Sequence, residues 1–318
     1  MHGAYATSPT TIQSVNVNAQ NRQKVQDGTI IQCWCWSFKT IEENIPAIAE
    51  AGFTAIQTSP ANTCLVGDYG GLDLLGADLT GKWYYHYQPT DWKIGNYQLG
   101  TRDDFISMCK KAEEFGISVI VDAVFNHTGR DFFAFKDIQQ NGWNSKYKDW
   151  YKNIRFDVKS PYGDNFSYEG WAGCMDLVKL NVDNNEVKQH IFGAVEKWIT
   201  EFEIDGLRLD AADVLTGSFM EELHNFCYSK KQDFWLMGEV IHGNYSRWAN
   251  EGTLHSVTNY MLHKALDSGH NDHNYFEIAH TLNRFMQNGI DCTKLYSFAD
   301  NHDVERIYTK LNSKRHWE

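Results

Sequence analysis

Four stretches of this sequence end an apolar run in side chains able to move protons or form bonds. They are Asp122-Ala-Val-Phe-Asn126-His127, Gly206-Leu-Arg208-Leu-Asp210, Gly238-Glu239-Val240 and Phe298-Ala-Asp300-Asn301-His302-Asp303. In the second, Arg208 lies two residues before Asp210, and strand residues two apart face the same way. A guanidinium beside a carboxylate favours the anion. An oriented, ionised carboxylate at a strand end is what a carboxylate nucleophile requires. A structural ion pair would look the same from these five residues alone. His127 by itself reads as a satisfied core histidine, and Glu239 as a solvated strand end. Four such ends on one face are harder to explain structurally, because burying charge is costly. Three carboxylates with two histidines point to glycoside chemistry. Two carboxyls about 5–5.5 Å apart give the retaining mechanism, one as nucleophile and one as acid/base. Arg208 assigns Asp210 the anionic role, which leaves Glu239 as the better acid.

These residues need elements to hold them. The spacing predicts strands at Thr29–Trp36, Phe53–Thr58, Ile117–Phe125, Asp205–Asp210, Phe234–Val240, His255–Tyr260 and Lys294–Ala299. Helices are predicted between them. One carries Ile41, Ile45 and Ile48 on a single face. A second starts at the cap Thr101 and carries Phe105, Met108, Ala112 and Phe115. The others carry Val187, Ile191, Val195, Trp198 and Phe202, then Phe219, Met220, Leu223 and Cys227, and last Phe276, Ala279, Leu282 and Phe285. Residues 59–100 read as a long aromatic loop. Residues 128–184 lack periodicity and are too long for a simple connection, so they read as an inserted subdomain. Alternating strands and helices predict an α/β fold with a parallel sheet, of a size that suits a (β/α)8 TIM barrel. The division is 1–127 for the first part of the barrel, 128–184 for the insertion after the third strand, and 185–318 for the second part. An eighth strand and a C-terminal β-domain are not seen in the sequence.

Composition narrows the partners. The chain has 318 residues and a formal net charge of -12, which argues against a nucleic-acid partner. No stretch is apolar enough to span a membrane. Seven scattered cysteines do not read as a disulfide framework but as free thiols. The first residues lack an apolar signal core, so the expected location is cytoplasmic, or secreted if a leader has been removed.

The four strand-end stretches resemble, in order and spacing, the four motifs of the α-amylase family, glycoside hydrolase family 13, in its bacterial α-amylase-like form. Leu177-Val-Lys-Leu-Asn181 resembles its fifth motif, and Tyr87-Gln-Pro-Thr-Asp91 with Leu99-Gly-Thr is similar as well. The resemblance implies Asp210 as nucleophile, Glu239 as general acid/base and Asp303 as the residue that holds the distorted sugar. It implies that His127 and His302 bond the same sugar, that Arg208 orients Asp210, and that Tyr87 stacks on the ring. Tyr84 and Gln88 would contact the next sugar. Trp83 and Trp92 read equally well as packing, and Asp122 as a structural bond between loop ends. The expected substrate is an α-glucan or maltooligosaccharide. Many members bind calcium where the third-strand loop meets the insertion, and Asn126 and Asp176 match ligand positions there. Some bind chloride, for which Arg208 and Asn301 match.

Two departures qualify this. Starch-cleaving members carry Lys-His three and four residues after the nucleophile, where this chain has Asp213 and Val214. This favours exo-acting, short-oligosaccharide or transglycosylating alternatives. An open barrel would also expose strand edges, so a glucan-binding role without turnover, or self-association through the opening, is the rival expectation.

Overall fold

The computed structural model describes residues 23–67, 70–76 and 79–313. Its strands, in chain order, are β1 (Ile30–Cys33), β2 (Ala55–Thr58), β3 (Asn62–Cys64), β4 (Pro89–Ile94), β5 (Ser118–Ala123), β6 (His127–Thr128), β7 (Gly170–Trp171), β8 (Cys174–Lys179), β9 (Gly206–Leu209), β10 (Trp235–Gly238) and β11 (Ser256–Val257). The helices are α1 (Phe38–Glu50), α2 (Arg102–Glu114), α3 (Phe133–Asn141), α4 (Asn185–Glu201), α5 (Gly217–Lys230), α6 (Tyr260–Asn271), α7 (Phe276–Gln287) and α8 (Ile307–Lys310). Six strands form one parallel sheet in the order β1-β2-β5-β9-β10-β11. Tyr296 extends it by a parallel bridge to Thr258. This is the curling sheet of a (β/α)8 barrel, with helices on its outer face.

Strand alternation divides the core in two. Ile30, Ala55, Ile120, Trp235, Met237 and Tyr296 point inward and pack inside the barrel. The opposite faces join the larger core under the helices, with Ile41, Ile45 and Ile48 of α1 and Phe105 and Met108 of α2 fully buried or nearly so. Helix starts are fixed by side chains that take up free N–H groups. Ser37 caps α1, Asn184 caps α4 and Thr216 caps α5. Thr101 forms a capping box with Asp104 on α2.

Several elements are shorter than the sequence predicts. The first strand stops at Cys33, and Cys35 takes a left-handed conformation with φ 54°. The sixth strand is only two residues long because Asn259 caps α6 at once. The seventh is reduced to the Tyr296 bridge. Two helices, α6 and α7, stand where one was expected. The loop after β2 contains the β3–β4 hairpin. The segment between β5 and α4 carries a three-stranded antiparallel sheet, ordered β6-β8-β7. All seven cysteines are free thiols.

Candidate active site

Asp122 on β5 and Arg208 on β9 are direct register partners, and both face into the barrel. Arg208 Nη1 donates to Asp122 Oδ1 at 2.8 Å and to Asp210 Oδ1 at 2.9 Å. Its Nη2 lies 3.0 Å from Glu239 Oε2. One planar guanidinium therefore holds three carboxylates from three adjacent strands. Glu239 Oε2 also accepts the Ala211 N–H at 2.9 Å. Ala211 presents that amide from the left-handed region, at φ 47°, a conformation that costs a non-glycine residue about 1 kcal/mol or more.

The electrostatics correct one expectation. Arg208 was expected to hold Asp210 ionised. Burial instead raises the pKa of Asp210 well above the ordinary carboxylate range, with Arg208 opposing and Glu239 and Asp122 adding to the rise. Asp122 is raised by burial too. Burial is the largest cause, and the single positive charge of Arg208, divided among three carboxylates, only partly offsets it. The cluster retains a proton that isolated carboxylates would lose.

The loop after Tyr296 completes the site from the other side. His302 Nδ1 meets Gln32 Nε2 at 2.8 Å, and its Nε2 lies 3.1 Å from Tyr87 Oη and 3.3 Å from Asp303 Oδ2. Tyr87 Oη donates to Asp122 Oδ2 at 2.8 Å. This network assigns the His302 proton to Nε2. The His302 ring also packs 4.6 Å from Trp34. Burial, and then Arg208, push its pKa down to about 3, so it is neutral at physiological pH. Asp303 is exposed and hydrogen-bonded to Glu239; burial of part of the group and the Glu239 charge lift it to about 6. Its N–H donates to Asn301 Oδ1 at 2.9 Å, and Asn301 Nδ2 donates to Tyr260 Oη at 3.2 Å.

Asp210, Glu239, Asp303, Arg208, His302 and Tyr87 thus converge. His127 is buried, its Nε2 2.9 Å from the Tyr87 carbonyl, and burial lowers its pKa to about 4. Asp122, expected to tie loop ends, belongs to the charged cluster itself. Tyr84 is exposed on the turn Trp83–Tyr85, edge-on to Trp83. Gln88 Nε2 reaches only its carbonyl, at 3.5 Å. Trp92 is core, donating to the Val124 carbonyl. Sequence reasoning missed Gln32, Trp34, Tyr260 and Ala211 as members of this cluster. Gln32 and Trp34 stand at the end of the first predicted strand, and that position was the available signal.

The residues matched to calcium do not fit it. Calcium takes six to eight oxygens. Asn126 is buried with its amide 3.3 Å from His127 Nδ1, whereas Asp176 is exposed and accepts from Tyr162 Oη at 3.2 Å. Lys179 pairs with His127 in the β6–β8 register, bringing an ammonium to that region. No group of three or more His, Cys, Asp or Glu among the described residues could hold a metal. For chloride, Arg208 already faces three carboxylates, and Asn301 bonds Tyr260 and Asp303. No helix among the described residues is long and apolar enough to cross a membrane.

The parallel sheet and its ring of strand-end carboxylates define a barrel protein with a glycosidase-type site. The profile for the α-amylase catalytic domain matches residues 36–318. An α-amylase of Butyrivibrio fibrisolvens is 31% identical over 97% of this chain and 33% of its own length. Neopullulanase 2 of Thermoactinomyces vulgaris is 29% identical over 85% of this chain and 44% of its own. The ligand-free cyclic α-maltosyl-(1→6)-maltose hydrolase of Arthrobacter globiformis superposes with a TM-score of 0.76 at 22% identity, covering 90% of this chain and 68% of that one. The chain belongs to the α-amylase catalytic-domain family. It spans less than half the length of either sequence relative.

Proposed function

We propose that this chain carries the catalytic site of a retaining glycoside hydrolase acting on α-1,4-glucosidic bonds of starch, glycogen or maltooligosaccharides. One observation carries the reading: Asp210 and Glu239 lie side by side on the two terminal nitrogens of Arg208. Glu239 protonates the glycosidic oxygen while Asp210 attacks the anomeric carbon, forming a covalent glycosyl-enzyme. The C–O bond to the leaving sugar breaks and that sugar departs with the proton. Glu239 then takes a proton from water, which displaces Asp210 and restores the α-configuration. A protonated Glu239 also relieves the like-charge repulsion that raises Asp210, so the acid's proton favours the nucleophile's ionisation. Asp303 and the neutral His302 bond the hydroxyls of the distorted ring, Tyr87 packs on its face, and the buried His127 holds the Tyr87 carbonyl.

Asp213, in place of a basic residue, favours short maltooligosaccharides or transfer to a second sugar over cleavage of long glucans. The relatives named neopullulanase and α-amylase support the substrate class. Proton NMR of maltoheptaose turnover tests the reading beside an Asp210→Asn control. Products formed first as α-anomers, absent in the control, are expected, and their lengths separate endo from exo action. β-Anomers formed first would overturn the retaining mechanism. Binding without turnover by a cooperatively folded chain would overturn the hydrolase reading and leave a glucan-binding one.

A further inference from the structure

We infer that a pocket between α6 and α7 takes glucose units on the leaving side of the cleaved bond; this rests on the glucan-hydrolase reading above. The cavity measures about 490 Å³, within the range of small-ligand sites. Its walls include Ile241, Tyr260, Lys264, Phe276, His280 and Arg284.

Three observations tie it to a sugar chain leaving Glu239. First, it adjoins the site. Ile241 follows the acid by two residues. Tyr260 is a shared wall: its hydroxyl bonds Asn301, which in turn holds the Asp303 N–H, while the residue lines the pocket. Second, the pocket carries a flat aromatic platform. Phe276 is 70% exposed and lies nearly parallel to His280, at 6.0 Å and 13°. An exposed ring of this kind gains by covering the C–H face of a glucose. Third, its donors are under-used. Arg284 spends a donor on the weak acceptor Met261 Sδ at 3.3 Å. Among the described residues no carboxylate bridges Arg284 or Lys264. Glu277 also lines the pocket and accepts from the Ser268 hydroxyl, and beside it Arg284 and Lys264 flank the aromatic ring, a mixed set that suits a ligand rich in hydroxyl groups. A glucan supplies both the flat face and the acceptors. Tyr260 stands at one end of the pocket and Phe276 toward the other, so a chain leaving Glu239 would reach Phe276 along the groove between α6 and α7.

Chain length is the discriminating variable. Binding of maltoheptaose and maltotriose is measured by calorimetry in an Asp210→Asn background, with and without Phe276→Ala or Phe276→Trp. Turnover is measured in parallel with Asp210 intact. Phe276→Ala is expected to weaken maltoheptaose binding about fivefold to tenfold and to leave maltotriose within about twofold. Phe276→Trp keeps the ring and should hold the wild-type ratio. Equal weakening for both lengths, no weakening, or failure of maltoheptaose to bind would overturn the inference. Binding of inorganic phosphate that Phe276→Ala spares and Arg284→Met abolishes, with maltoheptaose binding unchanged in both variants, would assign the pocket to anions and overturn it as well. If the wild type binds maltoheptaose with this length dependence but does not cleave it, the hydrolase reading fails and the pocket stands.

Discussion

The two flanks of the barrel are built differently. On one flank β2, β5, β9 and β10 pair in continuous registers of three or four residues. On the other, β11 is two residues long and Tyr296 joins it by a single bridge. The first flank carries Asp122, Arg208, Asp210 and Glu239, so backbone register alone brings these charges together. The second carries His302 and Asp303, which are positioned by side chains: Gln32, Trp34, Tyr87, Asn301 and Tyr260. Asp210 and Glu239 are therefore fixed by the sheet, and Asp303 by a hydrogen-bond network. The two should fail in different ways.

Arg208→Leu should show the largest effect. It leaves three buried carboxylates without their cation, and loss of one member of a buried charged cluster costs about 3–5 kcal/mol. Denaturant unfolding should show that loss at pH 7 and a smaller one at pH 4, where the carboxylates can protonate. Stability that does not depend on pH would contradict the shared-cation arrangement.

Asp303→Asn should leave the sheet intact and lower kcat on the order of 10²–10³-fold, the usual cost of one preorganised transition-state contact. Its effect on stability has a definite sign. Asp303 is raised to about 6, so the folded state holds its proton more tightly than the unfolded chain. That contribution is present below the ordinary carboxylate pKa and is lost as pH rises through about 6. The asparagine variant should thus melt higher than wild type at pH 8 and no higher at pH 4. The acid limb of kcat/KM in the wild type should fall near pH 6, since Asp303 accepts hydroxyl hydrogen bonds when ionised.

Gln32→Leu removes the partner that orients His302 from across the seam. The expected loss in kcat/KM is about threefold to tenfold, the scale of one hydrogen bond. Gln32→Glu should recover part of it, because the neutral His302 can turn to donate. An equal loss in both variants would mean that Gln32 serves packing alone. Chelation should matter least: EDTA is expected to change turnover by less than about twofold, as Asn126 and Asp176 do not form an ion cage. A calcium-dependent rise in activity would reopen that site.

This asymmetry also explains what the sequence revealed. The strands of the first flank were legible because their apolar alternation runs straight into charged ends. The three-way sharing around Arg208 was not, since the pairing of Asp122 with Arg208 depends on the register between two strands 86 residues apart. That is why the opposing pull of burial, Glu239 and Asp122 on Asp210 could not be read from its one local neighbour. On the second flank, alternation at His255–Tyr260 suggested a strand, but the Asn259 cap gave the segment to α6. Gln32 and Trp34 were hidden because they carry no acid or base of their own and act through their neighbours, Gln32 on His302 and Trp34 on His302, Tyr87 and Trp83.

Ala211 links the end of β9 to the end of β10. Its left-handed turn directs a backbone N–H at Glu239 Oε2, the oxygen also facing Arg208. Two donors on one oxygen, one from the backbone and one from Arg208, fix the orientation of the Glu239 carboxyl. The turn therefore works as a fixed stop: a backbone held in an unusual conformation sets where the neighbouring strand's carboxyl can lie.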